Sequence, residues 1–280
     1  MLSEALALIT AVTNALGSIL AAKGMKGTSP LGAAFYSVLT QAIILTLTLL
    51  PRLSNRDLLA VAYFMLAGVL ALGLGRLLNF VAMRNMGVAK TSAVIGSSPV
   101  LTTFLSILFL AEPLVASTLL GASTVTAGIV LISGATGFKM EKPIILGLLS
   151  TFSYSLSNIF SKAGLQIQPD PFLSAQTNAV AGLLFFITYL GITRQRTALK
   201  VGKNGLICFI ATGALSSIGW LTLMNALEIG LVSIVTTIVY SYPLFTIVLG
   251  RLFLREERLD KRTIAGSTLI VAGVTIVTLL

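Results

Sequence analysis

The chain of 280 residues has no histidine, one cysteine and only nine acidic residues. Without histidine no His-based metal or acid–base centre can be built. The single cysteine, Cys208, lies inside an apolar run, which excludes a disulfide framework and makes haem or iron–sulfur ligation unworkable. Charge is scarce as well: 10% of the residues are Asp, Glu, Lys or Arg, where soluble domains use about a quarter. What fills the space is apolar, with 56% hydrophobic residues and a mean hydropathy of +0.98. Such a chain cannot cover a water-soluble surface, so its solvent is the bilayer. The formal charge of +10 does not point to nucleic acid, because the 19 Lys and Arg are spread between hydrophobic runs without interleaved aromatics. They read as topology signals.

Apolar runs fall at residues 2 to 22, 31 to 50, 58 to 81, 91 to 110, 115 to 133, 144 to 163, 172 to 192, 205 to 224, 231 to 250 and 263 to 280. Each is near the ~20 residues that span a bilayer as a helix. The expectation is an all-α membrane protein of ten transmembrane helices, with weak breaks in the third and eighth. The first run begins Met1-Leu2-Ser3-Glu4, with no basic n-region, so it is expected to stay as a helix. On one side the loops hold Lys23, Lys26, Arg84, Lys90, Lys139, Lys142, Arg194, Arg196, Lys200, Lys203, Arg251, Arg255, Arg258, Lys261 and Arg262. The other side holds Arg52, Arg56 and Lys162. The positive-inside rule then puts both termini outside the cytoplasm, with the second half supplying most of the bias.

The chain repeats itself. Leu8, Leu16, Ile19 and Gly24 recur at Leu148, Leu156, Ile159 and Gly164. Pro99, Thr102, Phe109, Leu110 and Glu112 recur at Pro243, Thr246, Phe253, Leu254 and Glu256, followed by Gly121 and Gly128 at Gly266 and Gly273. Chance apolar composition does not place a Pro, a Glu and two Gly in one order at nearly one offset. The two copies are read as residues 1–136 and 143–280. Five helices per copy is an odd number, so the second copy is expected to lie inverted, the architecture of many secondary transporters.

Those motifs carry a resemblance. Gly87 to Pro99 to Phe109-Leu110-Ala111-Glu112, and Gly230 to Pro243 to Phe253-Leu254-Arg255-Glu256, resemble the EamA-type repeat of the drug/metabolite transporter superfamily. The resemblance covers essentially the whole chain and implies a multi-pass transporter of the plasma (inner) membrane, one of a group of exporters of amino acids, metabolites, drugs and sugar-linked compounds. It implies no cofactor.

Ser150, Ser153, Tyr154, Ser157, Asn158 and Ser161 share one helical face in the sixth run, and Thr10, Thr13, Asn14, Gly17, Ser18 and Ala21 form its counterpart in the first. A polar stripe in lipid must face protein or water. Two such stripes suggest two walls of a cavity, with Asn14, Tyr154 and Asn158 as its functional members; close packing of small residues is the alternative for the rest. Arg76, with Gly73 and Asn79 three residues to either side, is the one cation well inside a run. It is expected to meet an anionic group of substrate or lipid, to snorkel to the interface, or to sit in a structural pair. Pro99 and Pro243, beside Ser98 and Tyr240, are expected to kink the fourth and ninth helices near mid-span. Trp220 closes the cavity or anchors a span end. The seven-residue spacings Gly121 to Gly128 and Gly266 to Gly273 favour close helix contact, either between the halves or in a homodimer.

All nine carboxylates, Glu4, Asp57, Glu112, Glu141, Asp170, Glu228, Glu256, Glu257 and Asp260, fall near run ends or in loops. Those at 112 and 256 to 260 are expected as interfacial ion pairs and helix-end charges. The small multidrug-resistance relatives carry a glutamate in the first helix, three residues before a glycine, where this chain has Asn14-Ala15-Leu16-Gly17. Asparagine holds no proton, so their drug/proton exchange does not carry over. The leading expectation is export of a small polar or zwitterionic metabolite, such as an amino acid, by alternating access without a mid-membrane carboxylate. The alternative is a flippase or carrier for an anionic lipid-linked or phosphorylated substrate. A membrane-embedded enzyme lacks the groups it would need. The expected partners are a small-molecule substrate and membrane lipids.

Overall fold

The computed structural model describes residues 1–49, 56–113, 115–132, 142–246, 249 and 261–279. Every described element is helical, with no strand among the described residues. In chain order these are α1 (Leu2–Gly24), α2 (Pro30–Leu49), α3 (Leu58–Gly68), a π-helical stretch (Val69–Gly75), α4 (Arg76–Ile95), α5 (Ser98–Leu110), α6 (Ala116–Ile132), α7 (Lys142–Ile167), α8 (Pro171–Thr193), a 3-10 turn (Arg196–Leu199), α9 (Lys203–Ile229), α10 (Val232–Val239) and α11 (Lys261–Leu279). Six of these helical stretches, counting Leu58–Val88 as one, are long and apolar enough to cross a membrane; four shorter apolar helices accompany them. The expected acidic groups at 141, 256, 257 and 260, and the expected ends of the second, fifth, ninth and tenth runs, lie outside the described residues.

Several ends are written in the sequence. Asp57 Oδ1 accepts from the Leu59 and Ala60 amides at 2.8 and 3.1 Å and so caps α3. Asp170 caps α8 through the Leu173 amide at 3.0 Å, with Pro171 pre-set at the first helical turn. The third run is longer than its apolar pattern suggests. It continues through the π stretch and α4 as far as Gly87, whose φ of 82° is a left-handed conformation that glycine adopts without strain.

Contrary to the kinks expected from their mid-span positions, the prolines do not bend continuous helices. The chain breaks just ahead of each, at Gly96-Ser97 and at Tyr240-Ser241. Pro99 then stands in the first turn of α5 and Pro243 in the helical turn 242–246. The missing N–H of proline costs nothing in a first turn, where that donor has no intrahelical partner.

The two copies clasp each other reciprocally. α1 lies on α9 and α7 on α3. The repeat-related Gly24 and Gly164 each face a fully buried phenylalanine, Phe209 and Phe64 respectively. α6 lies on α11 through the glycines: a Cβ on Gly128 would stand 2.6 Å from the Gly266 carbonyl oxygen, and one on Gly121 2.7 Å from that of Gly273. Of the two expectations for this face, the contact between halves is the one observed.

Glu112 is not a simple surface charge. It is 8% exposed, and its carboxylate accepts from the Val232 amide at 2.6 Å and from the Ser233 amide and hydroxyl at 3.2 and 2.7 Å. It therefore caps α10 from the opposite half of the chain. Lys162 Nζ donates to the Leu227, Glu228 and Gly230 carbonyls at 2.6 to 3.2 Å and closes the other side of the same turn. Glu112→Ala leaves two buried N–H groups unpartnered and is expected to cost about 1–3 kcal/mol. Thermal unfolding in detergent checks this; an unchanged midpoint would remove the cap from the stability of the fold.

Candidate functional site

The polar stripe of α7 divides into two tasks. Ser150 and Ser157 donate to the carbonyls of Gly75 and Ala67, both at 2.8 Å, and so bind α7 to the π stretch and α3. Tyr154 and Asn158, one turn apart, line a cavity instead. The stripe of α1 divides in the same way. Thr10 donates its hydroxyl toward the Gly219 carbonyl of α9 at 3.2 Å, whereas Asn14, Gly17 and Ser18 line the cavity.

That cavity has a volume of about 100 Å³. α4 contributes Arg76, Asn79 and Phe80, α9 contributes Thr212, Ser216, Trp220 and Leu223, and α10 with the break that follows it contributes Thr236, Tyr240 and Tyr242. Seven of the eight pathway residues expected from the sequence thus line one space: Asn14, Arg76, Asn79, Tyr154, Asn158, Trp220 and Tyr240. The eighth, Ser98, stands behind it. Its hydroxyl is 2.9 Å from that of Ser155, to which Thr102 also donates at 2.9 Å, and it lies beside the Tyr240 hydroxyl.

Arg76 does not snorkel. It is 8% exposed, and its Nη1 donates to Gln41 Oε1 at 3.0 Å. The helix runs on to Gly87, eleven residues and about 16 Å at the usual rise, so the side chain does not snorkel to an end. Gln41 is fully buried in α2, and its Nε2 donates toward the Ser216 carbonyl at 3.5 Å. Since only the amide nitrogen can donate to that carbonyl, Oε1 is the atom turned to the guanidinium. The Tyr154 hydroxyl sits beside Arg76, Asn79 and Ser150. Among the described residues, every one that lines the cavity is neutral except Arg76. Two lining residues also carry buried polar atoms without a partner, Trp220 Nε1 as a donor and Asn79 Oδ1 as an acceptor.

Gln41, Ser216 and Tyr242 were not singled out by sequence reasoning. The signal for Gln41 was present as the one amide in a run of twenty residues. Nothing in that run says which distant cation it meets.

The model of the EamA-like transporter family matches residues 1–134 and again residues 141–279. The chain belongs to the EamA-like transporter family. This family lies within the drug/metabolite transporter superfamily, and its members are transporters rather than enzymes. The EamA-like chain is therefore a multi-pass membrane protein of the drug/metabolite transporter type. No curated protein matches it significantly. A protein of known crystal structure superposes with a TM-score of 0.79 over 98% of each chain at 19% identity, which shows a shared fold.

Proposed function

We propose that this EamA-like protein is a secondary transporter of the plasma membrane that exports a small polar or zwitterionic metabolite, such as an amino acid, through the cavity around Arg76. The observation that carries this reading is the convergence of side chains from both halves on one space in which, among the described residues, Arg76 is the single cation. Ten spans in two inverted five-helix units, 1–136 and 143–280, with both termini outside the cytoplasm, complete the proposal. Two family matches in tandem support it, as do the reciprocal clasp of α1 on α9 and α7 on α3 and the paired breaks before Pro99 and Pro243. Broken helices beside a binding site are a recurrent transporter device, and rocking of one unit against the other would expose that site to each side in turn.

A second reading, a carrier or flippase for an anionic lipid-linked or phosphorylated substrate, draws on Arg76 alone. Thermal unfolding of the detergent-purified protein separates the two. The panel holds amino acids, organic acids, sugar phosphates, nucleotide sugars, quaternary amines and anionic lipid. A ligand that binds only the folded state adds about 2.7 kcal/mol at a hundredfold excess over Kd. A shift from one soluble class, lost in Asn14→Ala, is the expected result. Silence from every soluble class with a shift from anionic lipid would overturn metabolite export.

A further inference from the structure

We infer that the Arg76 cavity selects small organic monoanions, hydroxylated monocarboxylates above all, over zwitterions and cations of the same size. This rests on the proposed reading of the cavity as the site of a small polar metabolite and departs from it in one respect, taking anions ahead of the zwitterionic amino acids named there.

The first ground is charge. Arg76 is buried, and its neighbours in and around the cavity, Gln41, Tyr154 and Asn79, are neutral. Among the described residues no carboxylate lines the space. A buried cation without a counter-charge is costly, and a ligand carboxylate supplies that charge with geometry suited to a planar guanidinium. An ammonium group on the same ligand gains nothing comparable. Among the described residues the cavity offers it amide and hydroxyl oxygens and the rings of Trp220, Tyr154, Tyr240 and Tyr242 but no carboxylate, and about 100 Å³ holds it close to Arg76.

The second ground is the pattern of open valences. Asn79 lines the space one helical turn from Arg76, and its Oδ1 is a buried acceptor without a partner; turned into the space by a bound ligand, it would accept from a hydroxyl next to the carboxylate. Trp220 lines the space from α9, and its Nε1 is a buried donor without a partner that a small turn of the ring would bring to a ligand oxygen. The third ground is size. A cavity of roughly 150 Å³ takes benzene, so one of about 100 Å³ takes a molecule of three or four carbons in this conformation.

The test is the melting temperature of the purified protein at neutral pH with L-lactate, propionate, L-alanine, propylamine or methyl phosphate, each at one concentration. Lactate is expected to bind tightest, propionate up to tenfold weaker, and alanine and propylamine at least tenfold weaker than propionate. Arg76→Gln is expected to abolish the lactate shift. Arg76→Lys, which keeps the charge and loses the fork, is expected to weaken lactate about tenfold, and Trp220→Phe to weaken it several-fold. Alanine equal to lactate overturns the charge selection while leaving metabolite export in place. A larger shift from methyl phosphate overturns it in favour of phosphate esters. Lactate binding unchanged in Arg76→Lys and Trp220→Phe overturns the assigned seat. Silence from all five probes overturns the proposal, whereas metabolite export stands or falls on the wider panel.

Discussion

Arg76→Gln is expected to reduce transport at least about thirtyfold while the folded protein becomes no less stable. The two halves of that expectation have separate causes. A buried charge-assisted contact with a ligand is worth about 2–5 kcal/mol when one partner is removed, which corresponds to roughly thirtyfold to several thousandfold. The fold, by contrast, gains from losing the charge. Arg76 is buried beside neutral groups, and placing an arginine at the centre of a spanning helix costs at least ~2.5 kcal/mol. Glutamine keeps an amide to meet Gln41. Uptake into proteoliposomes, read beside the melting temperature, decides the point. A fall in stability with transport preserved would make Arg76 a structural residue.

The second large effect concerns α6 and α11. Gly128→Leu is expected to yield no monodisperse protein, and Gly128→Ala to lose about 1–3 kcal/mol by overpacking. The first atoms a side chain there would meet are the Gly266 carbonyl oxygen at 2.6 Å and Ile270 Cγ1 at 2.9 Å. The oxygen is backbone and cannot swing aside, so the helices themselves must separate. Leu120→Ala on the same helix, where the side chain is 62% exposed, is the control and is expected to be neutral. Size-exclusion profiles of the three variants check this. A sharp peak for Gly128→Leu would show that the α6–α11 contact is dispensable.

The parts of this site that could be read from the sequence are those governed by local periodicity. Tyr154 and Asn158 lie four apart, and so do Asn14 and Ser18; a helix in lipid must turn such polar faces inward, whatever the rest of the chain does. The parts that could not be read depend on distant partners. Glu112 caps α10 across 120 residues, and Gln41 reaches Arg76 from another helix. The prolines show a third case. Their positions were plain, but whether proline bends a helix or begins one depends on the residues just ahead of it. Gly96-Ser97 and Tyr240-Ser241 leave the helical path there. The third run was misjudged in length because the helix continues past residue 81 to Gly87, through the polar Arg84 and Asn85.

The π-helical stretch Val69–Gly75 ends at the residue before Arg76. A wider turn consumes more chain per revolution than an α-helix, in which each residue advances the azimuth by about 100°. Everything C-terminal to it is thereby rotated about the helix axis relative to Phe64 and Gly68, which stay packed on α7 and α8. The stretch acts as a phase shifter. One length of helix keeps its packing face at one end and presents the cation and its amide companion to the interior at the other. Loss of a single residue between 69 and 75 would leave the helix intact and turn Arg76 and Asn79 away from the ligand together.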